Sequence, residues 1–193
     1  MGNREDLLAG ARQVIIERGV AKATAREIAA AAGVSLAAIG YHFGSKEQLL
    51  TEALNDALGS AIGDGMGELI REGTGTPPLE SFARVWNGMS EIVGANRAAM
   101  VASVENLVRV VRDDDAQHQM GEAVSHAYGD LANDFAAAHP HLSEEQTRAL
   151  AELSFVLVQG YAILSLIAPV DDLPSGDRFA TAISALTESG MSA

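Results

Sequence analysis

Residues 24–50 constrain the fold of this chain more than any other segment. They contain two short helical patterns joined at Gly33, followed by the start of a third helix at Ser45. Thr24 and Glu27 form a capping box, in which a hydroxyl and a carboxylate satisfy free amides at the start of a helix. Gly33 ends that first helix, because glycine adopts the left-handed conformation at little cost. Two short helices at this spacing are typical of a helix-turn-helix.

The remaining sequence is predicted to be helical almost throughout, with apolar residues recurring at helical spacing and no strand-like alternation of useful length. Further capping boxes are predicted at Ser45–Gln48 and Ser143–Gln146. The predicted helices outside the helix-turn-helix cover residues 5–18, 45–58, 79–94, 97–112, 116–138, 143–168 and 175–190. The expected fold is all-α, with a helix-turn-helix domain at residues 1–46 and a helical regulatory domain at residues 47–193.

Charge is distributed unevenly along the chain. The whole sequence of 193 residues has a formal net charge of −13. Residues 1–50 carry six basic and five acidic side chains, whereas the rest carries seven basic and 21 acidic ones. A near-neutral head on an acidic body would approach phosphates head first, so the overall charge does not exclude a nucleic-acid partner.

The composition also bounds the location and chemistry of the protein. The chain has no cysteine, which excludes disulfides and thiolate chemistry. Its first residues lack the pattern of a signal peptide. The apolar run Leu153–Ala168 is shorter than the roughly 20 residues that a membrane span needs. We therefore expect a soluble, cytoplasmic protein without a membrane partner.

The second short helix has the character of a helix that reads the DNA major groove. Ser35 is expected to cap it, and it runs to about Phe43. Ile39 and Phe43 would face inward, while small and polar residues on the other side could approach bases and phosphates. The next helix start, at Ser45 and Lys46, suits a phosphate. The residues predicted to face DNA are Thr24, Arg26, Ser35, Leu36, Ala37, Gly40, Tyr41, His42, Ser45 and Lys46.

The segment resembles the TetR (tetracycline-repressor-like) family of transcription regulators. The residues that carry the resemblance are Thr24, Ile28, Ala29, Gly33, Val34, Ser35, Ile39, His42, Phe43, Ser45, Lys46, Glu47 and Leu49. The resemblance implies a homodimer that binds a palindromic operator and releases it when a small molecule enters the C-terminal domain. Gly40 departs from the family pattern, which has an aromatic residue there that contacts the DNA backbone; Tyr41 is one position further on.

The C-terminal part is predicted to contain a dimer interface and a ligand site. Leu153–Ala168 is apolar nearly all round, so it needs cover on more than one side, which a second subunit could supply in a four-helix bundle. The predicted interface residues are Phe155, Leu157, Tyr161, Leu164, Phe179, Ile183 and Leu186. The ligand candidates, each of which could instead be solvated or belong to the core, are Phe82, Trp86, Met89, Met100, Glu105, Asn106, Tyr128 and Gln159.

No pairing of nucleophile and base, no phosphate-binding glycine loop and no metal signature is found in the sequence. The region Asp113–Asp115 is interpreted as a charged cap for the following helix rather than a metal site. We therefore predict no catalytic residues, no cofactor and no metal. The preferred hypothesis is a ligand-responsive transcriptional repressor whose effector is partly hydrophobic. The alternatives are a DNA-binding dimer without a small-molecule inducer and a helical enzyme.

Overall fold

The computed structural model describes residues 3–168 and 173–190, with side chains at all of these positions except 60 and 188–190. Within these ranges the chain is all-α, as predicted, and the ends of the predicted helices lie within two residues of the observed ones, whereas the helix at Asp64–Glu72 was not predicted. A 3-10 turn at Val20–Lys22 follows the first helix, and a π-helical turn at Gly59–Gly63 follows the fourth. The α-helices are α1 (Asn3–Arg18), α2 (Ala25–Ala31), α3 (Ala37–Phe43), α4 (Lys46–Leu58), α5 (Asp64–Glu72), α6 (Pro78–Ala95), α7 (Arg97–Val110), α8 (Asp114–Ala138), α9 (Glu144–Ile167) and α10 (Gly176–Gly190).

The chain divides into two compact units, which we call the head unit and the body unit. The head unit contains the residues up to Ser60 together with Asn96–Val124, and the body unit contains Ala61–Ala95 together with the chain from Ser125 onward. The predicted regulatory domain therefore contributes helices to both units. The predicted boundary at residue 46 separates a DNA-binding part from a regulatory part by function rather than by packing, and it stays a prediction.

In the head unit, α1 packs against α2, α4 and α7. The core at this junction contains Leu7, Ile28 and Leu49, none of which is exposed to solvent. Two ion pairs join α1 to α4 at the surface of the same junction, and they are Arg4–Glu52 and Arg12–Asp56. Apolar burial drives this packing, while exposed ion pairs of this kind add little to the stability.

Two of the three predicted capping boxes form completely, at Thr24 and at Ser143. At Ser45 only one half forms, since the Ser45 hydroxyl accepts from the Gln48 N–H at 3.1 Å without the reciprocal bond. The Gln48 side chain lies instead beside Gly44, where a Cβ would be 2.6 Å from its Oε1. The positive φ of 75° at Gly44 makes glycine suitable there for a second reason.

The prediction that the Ser35 side chain caps the next helix is wrong. Helix α3 begins at Ala37, and its N-cap residue Leu36 makes no side-chain capping bond. Ser35 contributes its main-chain carbonyl instead, which accepts from the Ala38 N–H at 3.0 Å. Leu36 is already in the right-handed helical conformation, so the turn enters α3 through backbone hydrogen bonds alone. By contrast, Asp113 caps α8 as predicted, through a bond from the Ala116 N–H at 3.0 Å.

In the body unit, α6 packs against α5, α9 and α10. The start of α10 approaches α6 so closely that a Cβ at Gly176 would lie 1.8 Å from the carbonyl oxygen of Ala83. The Gly176 N–H donates to Asn87 Oδ1 at 2.8 Å. Because any side chain at Gly176 would collide with the α6 backbone, this contact requires glycine.

Helix α9 is longer than the apolar run that predicted it. Within the described parts of the chain, this helix is long and apolar enough to cross a membrane, and 28% of its most apolar window is buried. One helix of this length and composition is weak evidence for a membrane. The helix begins with a capping box and two acidic residues, Glu144 and Glu145, as surface helices do.

Candidate functional site

Helix α3 is fixed to the head unit by one face. Ala38, Ile39 and Phe43 are buried in the core shared with α1 and α4. The opposite face carries Leu36, Ala37, Gly40 and Tyr41, all of which are exposed. The helix therefore combines an apolar anchor with an outward surface of small and aromatic residues, which is the arrangement expected of a helix that enters the major groove.

The outward face has open space at Gly40 and a projecting ring at Tyr41. A Cβ built at Gly40 meets no atom within 4 Å, so a side chain would fit there. Tyr41 is 85% exposed, and its ring meets that of the half-buried His42 edge to face, at 4.9 Å between centroids. The outward aromatic ring of α3 is therefore that of Tyr41, and its hydroxyl is available to a phosphate or a base edge.

Thr24 uses its hydroxyl within its own helix cap. Its Oγ1 donates to Glu27 Oε2 at 2.7 Å and accepts from the Glu27 N–H at 3.2 Å. The side-chain hydrogen bond from Thr24, followed by the one from its backbone, lowers the pKa of Glu27, so that the carboxylate stays ionised. The Thr24 hydroxyl can serve DNA only as an acceptor unless the box opens, which leaves its predicted phosphate contact a prediction.

The basic residues near α3 differ in whether their charged groups are already bonded within the protein. Lys46 is half-buried, and its Nζ donates to the Ala23 carbonyl at 3.1 Å, which fixes the start of α4 beside the start of α2. Its ammonium also lies 3.4 Å from Glu47. Arg26 is exposed on α2. The guanidinium of Arg26 is thus free to move toward a phosphate, whereas Lys46 retains only part of its donor capacity.

A buried polar cluster in the head unit was missed by the sequence analysis. Thr51 on α4 accepts hydrogen bonds from Asn106 Nδ2, at 3.4 Å, and from Arg109 Nη2, both on α7. Arg109 Nε donates to Asn106 Oδ1 at 3.0 Å, and the Thr51 hydroxyl donates to the Glu47 carbonyl at 3.1 Å. The spacing of Asn106 and Arg109 by three residues signals one helix face, but their partner is far away in sequence.

This cluster changes the interpretation of two ligand candidates. Asn106 is buried and bonded within the head unit, and its neighbour Glu105 is exposed. Met100 is also buried in the head unit. Their predicted contact with a ligand has no geometric support here and stays a prediction.

Other ligand candidates meet in the body unit around Trp86. The Trp86 ring lies 6.1 Å from Phe82, 5.8 Å from Tyr161 and 5.3 Å from Phe179, measured between centroids. Met89 is buried on the same helix. Burial raises the pKa of the Tyr161 hydroxyl, which stays protonated. We call Phe82, Trp86, Tyr161 and Phe179 the aromatic cluster.

The last two ligand candidates lie elsewhere in the body unit. Tyr128 is half-buried, stacked under Arg148 at 5.0 Å and edge to face with Phe155 at 5.1 Å. Gln159 is exposed on α9. The aromatic cluster therefore gathers only part of the predicted ligand set.

The predicted interface residues are partly exposed. Phe155, Leu157, Phe179 and Ile183 are half-buried, and Leu164 and Leu186 are exposed. Tyr161 points into the aromatic cluster instead. The outward face of α9 carries large apolar residues that the sequence analysis did not select, although their recurrence at three or four residues marks one helix face. They are Leu153, Val156, Ile163 and Ile167.

The fold and the anchored α3 have the arrangement of a helix-turn-helix, a motif that places its second helix in the DNA major groove. Residues 7–53 match the family model described as bacterial regulatory proteins, tetR family. A repressor, the HTH-type transcriptional repressor KstR2 of Mycolicibacterium smegmatis, is 33% identical over 98 residues, which cover 51% of this chain and 46% of the relative. The chain thus spans about half the length of the curated relative that it matches.

Solved structures agree with this fold. SCO7518 of Streptomyces coelicolor A3(2), a candidate transcriptional regulator, is 23% identical with a TM-score of 0.63, covering 97% of this chain and 99% of the other. The multidrug binding protein EbrR, in complex with imidazole, is 20% identical with a TM-score of 0.61, covering 95% and 93%. Over residues 7–53 the chain is therefore similar to the tetR family of bacterial regulatory proteins, and its fold is similar to those of these solved structures.

Proposed function

We propose that this chain is a cytoplasmic transcriptional repressor, which binds a palindromic DNA operator as a homodimer and releases it when a small molecule binds. The observation that carries the proposal is the geometry of α3. Its buried face is occupied by Ala38, Ile39 and Phe43, and its other face is free for a DNA groove. In this proposal residues 1–46 read the operator and residues 47–193 regulate the reading.

The dimer is supported by the outward face of α9. Val156 and Ile167 are 61% and 75% exposed, and Leu153 and Ile163 lie on the same face. A second copy would remove this apolar surface from water, as a symmetric four-helix bundle does. Dimerisation also supplies two reading helices for two half-sites one DNA turn apart. A dimer accounts for the apolar helix without a membrane.

Effector binding is supported by the aromatic cluster and by the complex of EbrR with imidazole. A ligand that favours one body conformation would shift the separation of the two α3 helices through the helix that begins after Ser45. The Thr51–Asn106–Arg109 cluster holds α4 to α7, so a movement of α7 would reach the DNA-reading end of the head unit.

The test is in vitro selection of DNA from a random pool with the purified full chain. We expect a palindrome with half-site centres about 10 base pairs apart, and binding that weakens as salt rises. Tyr41→Ala should weaken binding about tenfold, equivalent to about 1.4 kcal/mol, while Tyr41→Phe tests the hydroxyl separately. Ile16→Ala, at another exposed apolar residue of the head unit, is the control. A failure to enrich any DNA sequence would overturn the proposal.

A further inference from the structure

The interior of the body unit contains polar side chains but no charge in its described part. Its buried polar groups are aliphatic hydroxyls at Ser81, Thr147, Ser154 and Ser165, the His139 imidazole, the Tyr161 phenol and the Trp86 indole. Burial, and secondarily the charge of His141, lowers the pKa of His139, so this imidazole is neutral at pH 7 as well. Any molecule that enters this interior finds hydrogen-bonding groups and no counter-charge.

The half-buried charged side chains around this interior are already paired. Arg71 lies 2.6 Å from Asp134, Arg84 lies 3.6 Å from Glu80, and Arg148 lies 2.7 Å from Glu152. A buried ionic ligand would have to break one of these pairs or remain unpaired, and either change is costly.

Several of the buried polar groups have no hydrogen-bond partner in the part of the chain that the structure describes. They include Trp86 Nε1, Ser154 Oγ, Ser81 Oγ and both ring nitrogens of His139. Buried polar groups in folded proteins are normally bonded, and each exception calls for an explanation, such as a water molecule or another bound group. These groups lie on α6, on α9 and at His139, the residue that follows α8, and all of them belong to the body unit.

Helix α9 provides an internal comparison for the Ser154 hydroxyl. Thr147, Ser154 and Ser165 share its buried face. Thr147 donates to the Glu144 carbonyl at 3.0 Å, and Ser165 donates to the Ala162 carbonyl at 2.7 Å. Ser154 lies between them without such a bond, although a helix offers every serine the same backbone acceptors. Its hydroxyl is left available for a different partner.

The unpaired Trp86 N–H lies within the aromatic cluster. Trp86 is 1% exposed, and the centroid of the Tyr161 ring, on α9, lies 5.8 Å from the centroid of the Trp86 ring. Ser154 precedes Tyr161 by two turns on the same face of α9, which corresponds to about 10 Å along the helix axis. Met89 on α6 is fully buried, and methionine side chains repack readily when a guest enters.

We propose that the effector of the body unit is an uncharged, mostly apolar molecule that accepts a hydrogen bond from Trp86 Nε1. This inference rests on the proposed function only in assuming that the body unit binds an effector. The aromatic rings and Met89 supply the apolar contact, Trp86 supplies the donor, and Ser154 supplies a second polar group. Carboxylates, phosphates and organic cations are excluded because they would be buried without a counter-ion.

The test uses the fact that Trp86 is the only tryptophan in the sequence. Its indole N–H therefore gives a single ¹⁵N-correlated resonance, which moves downfield when it donates to an acceptor. Three probes of equal chain length are added to the full-length protein at neutral pH: 2-decanone, decanoate and decyltrimethylammonium, each below its aggregation concentration. We expect 2-decanone alone to shift the resonance in a saturable manner. An equal shift with either ion, or no shift with any of the three, overturns the proposal.

A variant tests the hydrogen bond itself. Trp86→Phe should weaken 2-decanone binding about fivefold by calorimetry, the loss of one hydrogen bond. Phe135→Leu, at another buried aromatic of the body unit, should leave the affinity unchanged. If Trp86→Phe does not fold, the resonance experiment on the unmodified protein decides alone. Unchanged affinity in a folded Trp86→Phe protein overturns the proposal.

The two proposals fail separately. The probes are tested on the protein without DNA, and the DNA selection is performed without any probe. If DNA is selected but only an ion shifts the indole resonance, the uncharged effector is wrong and the proposed function stands. If 2-decanone binds as expected and no DNA is selected, the uncharged ligand site stands and the proposed function is wrong.

Discussion

The head and body units differ in how they treat buried polar groups. In the head unit, Thr51, Asn106 and Arg109 bond to one another and to the backbone. Its one exception within the described residues is Arg109 Nη1, which lies 3.7 Å from Asp113. In the body unit, buried groups on α6 and α9 and at His139 have no partner among the described residues.

The difference indicates two kinds of interior. A completed hydrogen-bond cluster fixes one arrangement of its helices, since breaking any member leaves the others buried and unsatisfied. Such an interior suits a unit that must present α3 in one geometry. An interior that contains unpaired hydrogen-bonding groups is less stable alone and gains more stability when a ligand binds. The predictions below test this contrast by placing matched changes in each unit.

The largest expected effect tests whether unpaired groups make the body unit loosely packed. Gly176→Ala should destabilise the body unit by about 3 kcal/mol, because its Cβ would lie 1.8 Å from the Ala83 carbonyl oxygen. Urea denaturation followed by Trp86 fluorescence measures this, since Phe179 of α10 contacts that ring. Gly129→Ala, where a Cβ meets nothing within 4 Å, is the control and should be neutral or stabilising. If Gly176→Ala does not lower the free energy of unfolding, the body unit is loosely packed, and the head and body units differ in packing rather than in hydrogen bonding.

A smaller loss is expected from the completed cluster of the head unit. Thr51→Val keeps the shape of the side chain and removes the hydroxyl that accepts from Asn106 and Arg109. Both donors stay buried or half-buried without that acceptor, so the free energy of unfolding should fall by about 2 kcal/mol. Urea denaturation followed by far-ultraviolet circular dichroism measures it. Thr187→Val, at an exposed threonine, provides the control. An unchanged midpoint in Thr51→Val would show that the cluster does not hold α4 to α7.

The matching change in the body unit should act in the opposite direction. Ser154→Ala removes a fully buried hydroxyl without a partner in the described chain, so no other group loses a bond. We expect the free energy of unfolding to stay the same or rise by up to about 1 kcal/mol. Urea denaturation measures whether the free energy of unfolding rises or falls. Ser165→Ala is the matched comparison, because the Ser165 hydroxyl lies on the same face of α9 and is hydrogen-bonded. A clear loss of stability in Ser154→Ala would remove the distinction between the two interiors.

Local signals explain what the sequence could predict. The helix ends follow capping residues such as Thr24 and Ser143 and turn glycines such as Gly33, all of which act over three or four residues. The anchor of α3 was predicted for the same reason, since Ile39 and Phe43 stand four residues apart on one face. These features require no knowledge of distant residues.

The features that were missed depend on distant partners. Helix α9 is apolar on both faces, so periodicity groups its residues without showing which face is buried. The structure turns Tyr161 toward Trp86 and leaves Val156 outside. Asn106 was similarly placed among ligand candidates because its partner Thr51 lies 55 residues away. Sequence patterns thus predict where helices lie better than they predict which helix faces pack against each other.

The smallest expected effect is a pH dependence that arises from His139 in the body unit. Because burial holds the pKa of His139 below its ordinary value of about 6.5, the unfolded chain takes up the proton first as the pH falls. The free energy of unfolding should therefore fall as the pH is lowered from about 7 toward the folded-state pKa, with no contribution from His139 above about pH 7. His139→Phe should flatten this slope in urea denaturation followed by Trp86 fluorescence, whereas His118→Gln, at an exposed histidine, should keep it. If the free energy of unfolding of His139→Phe depends on pH as it does in the unmodified protein, another group causes that dependence. His139 would then no longer count among the groups that distinguish the body unit.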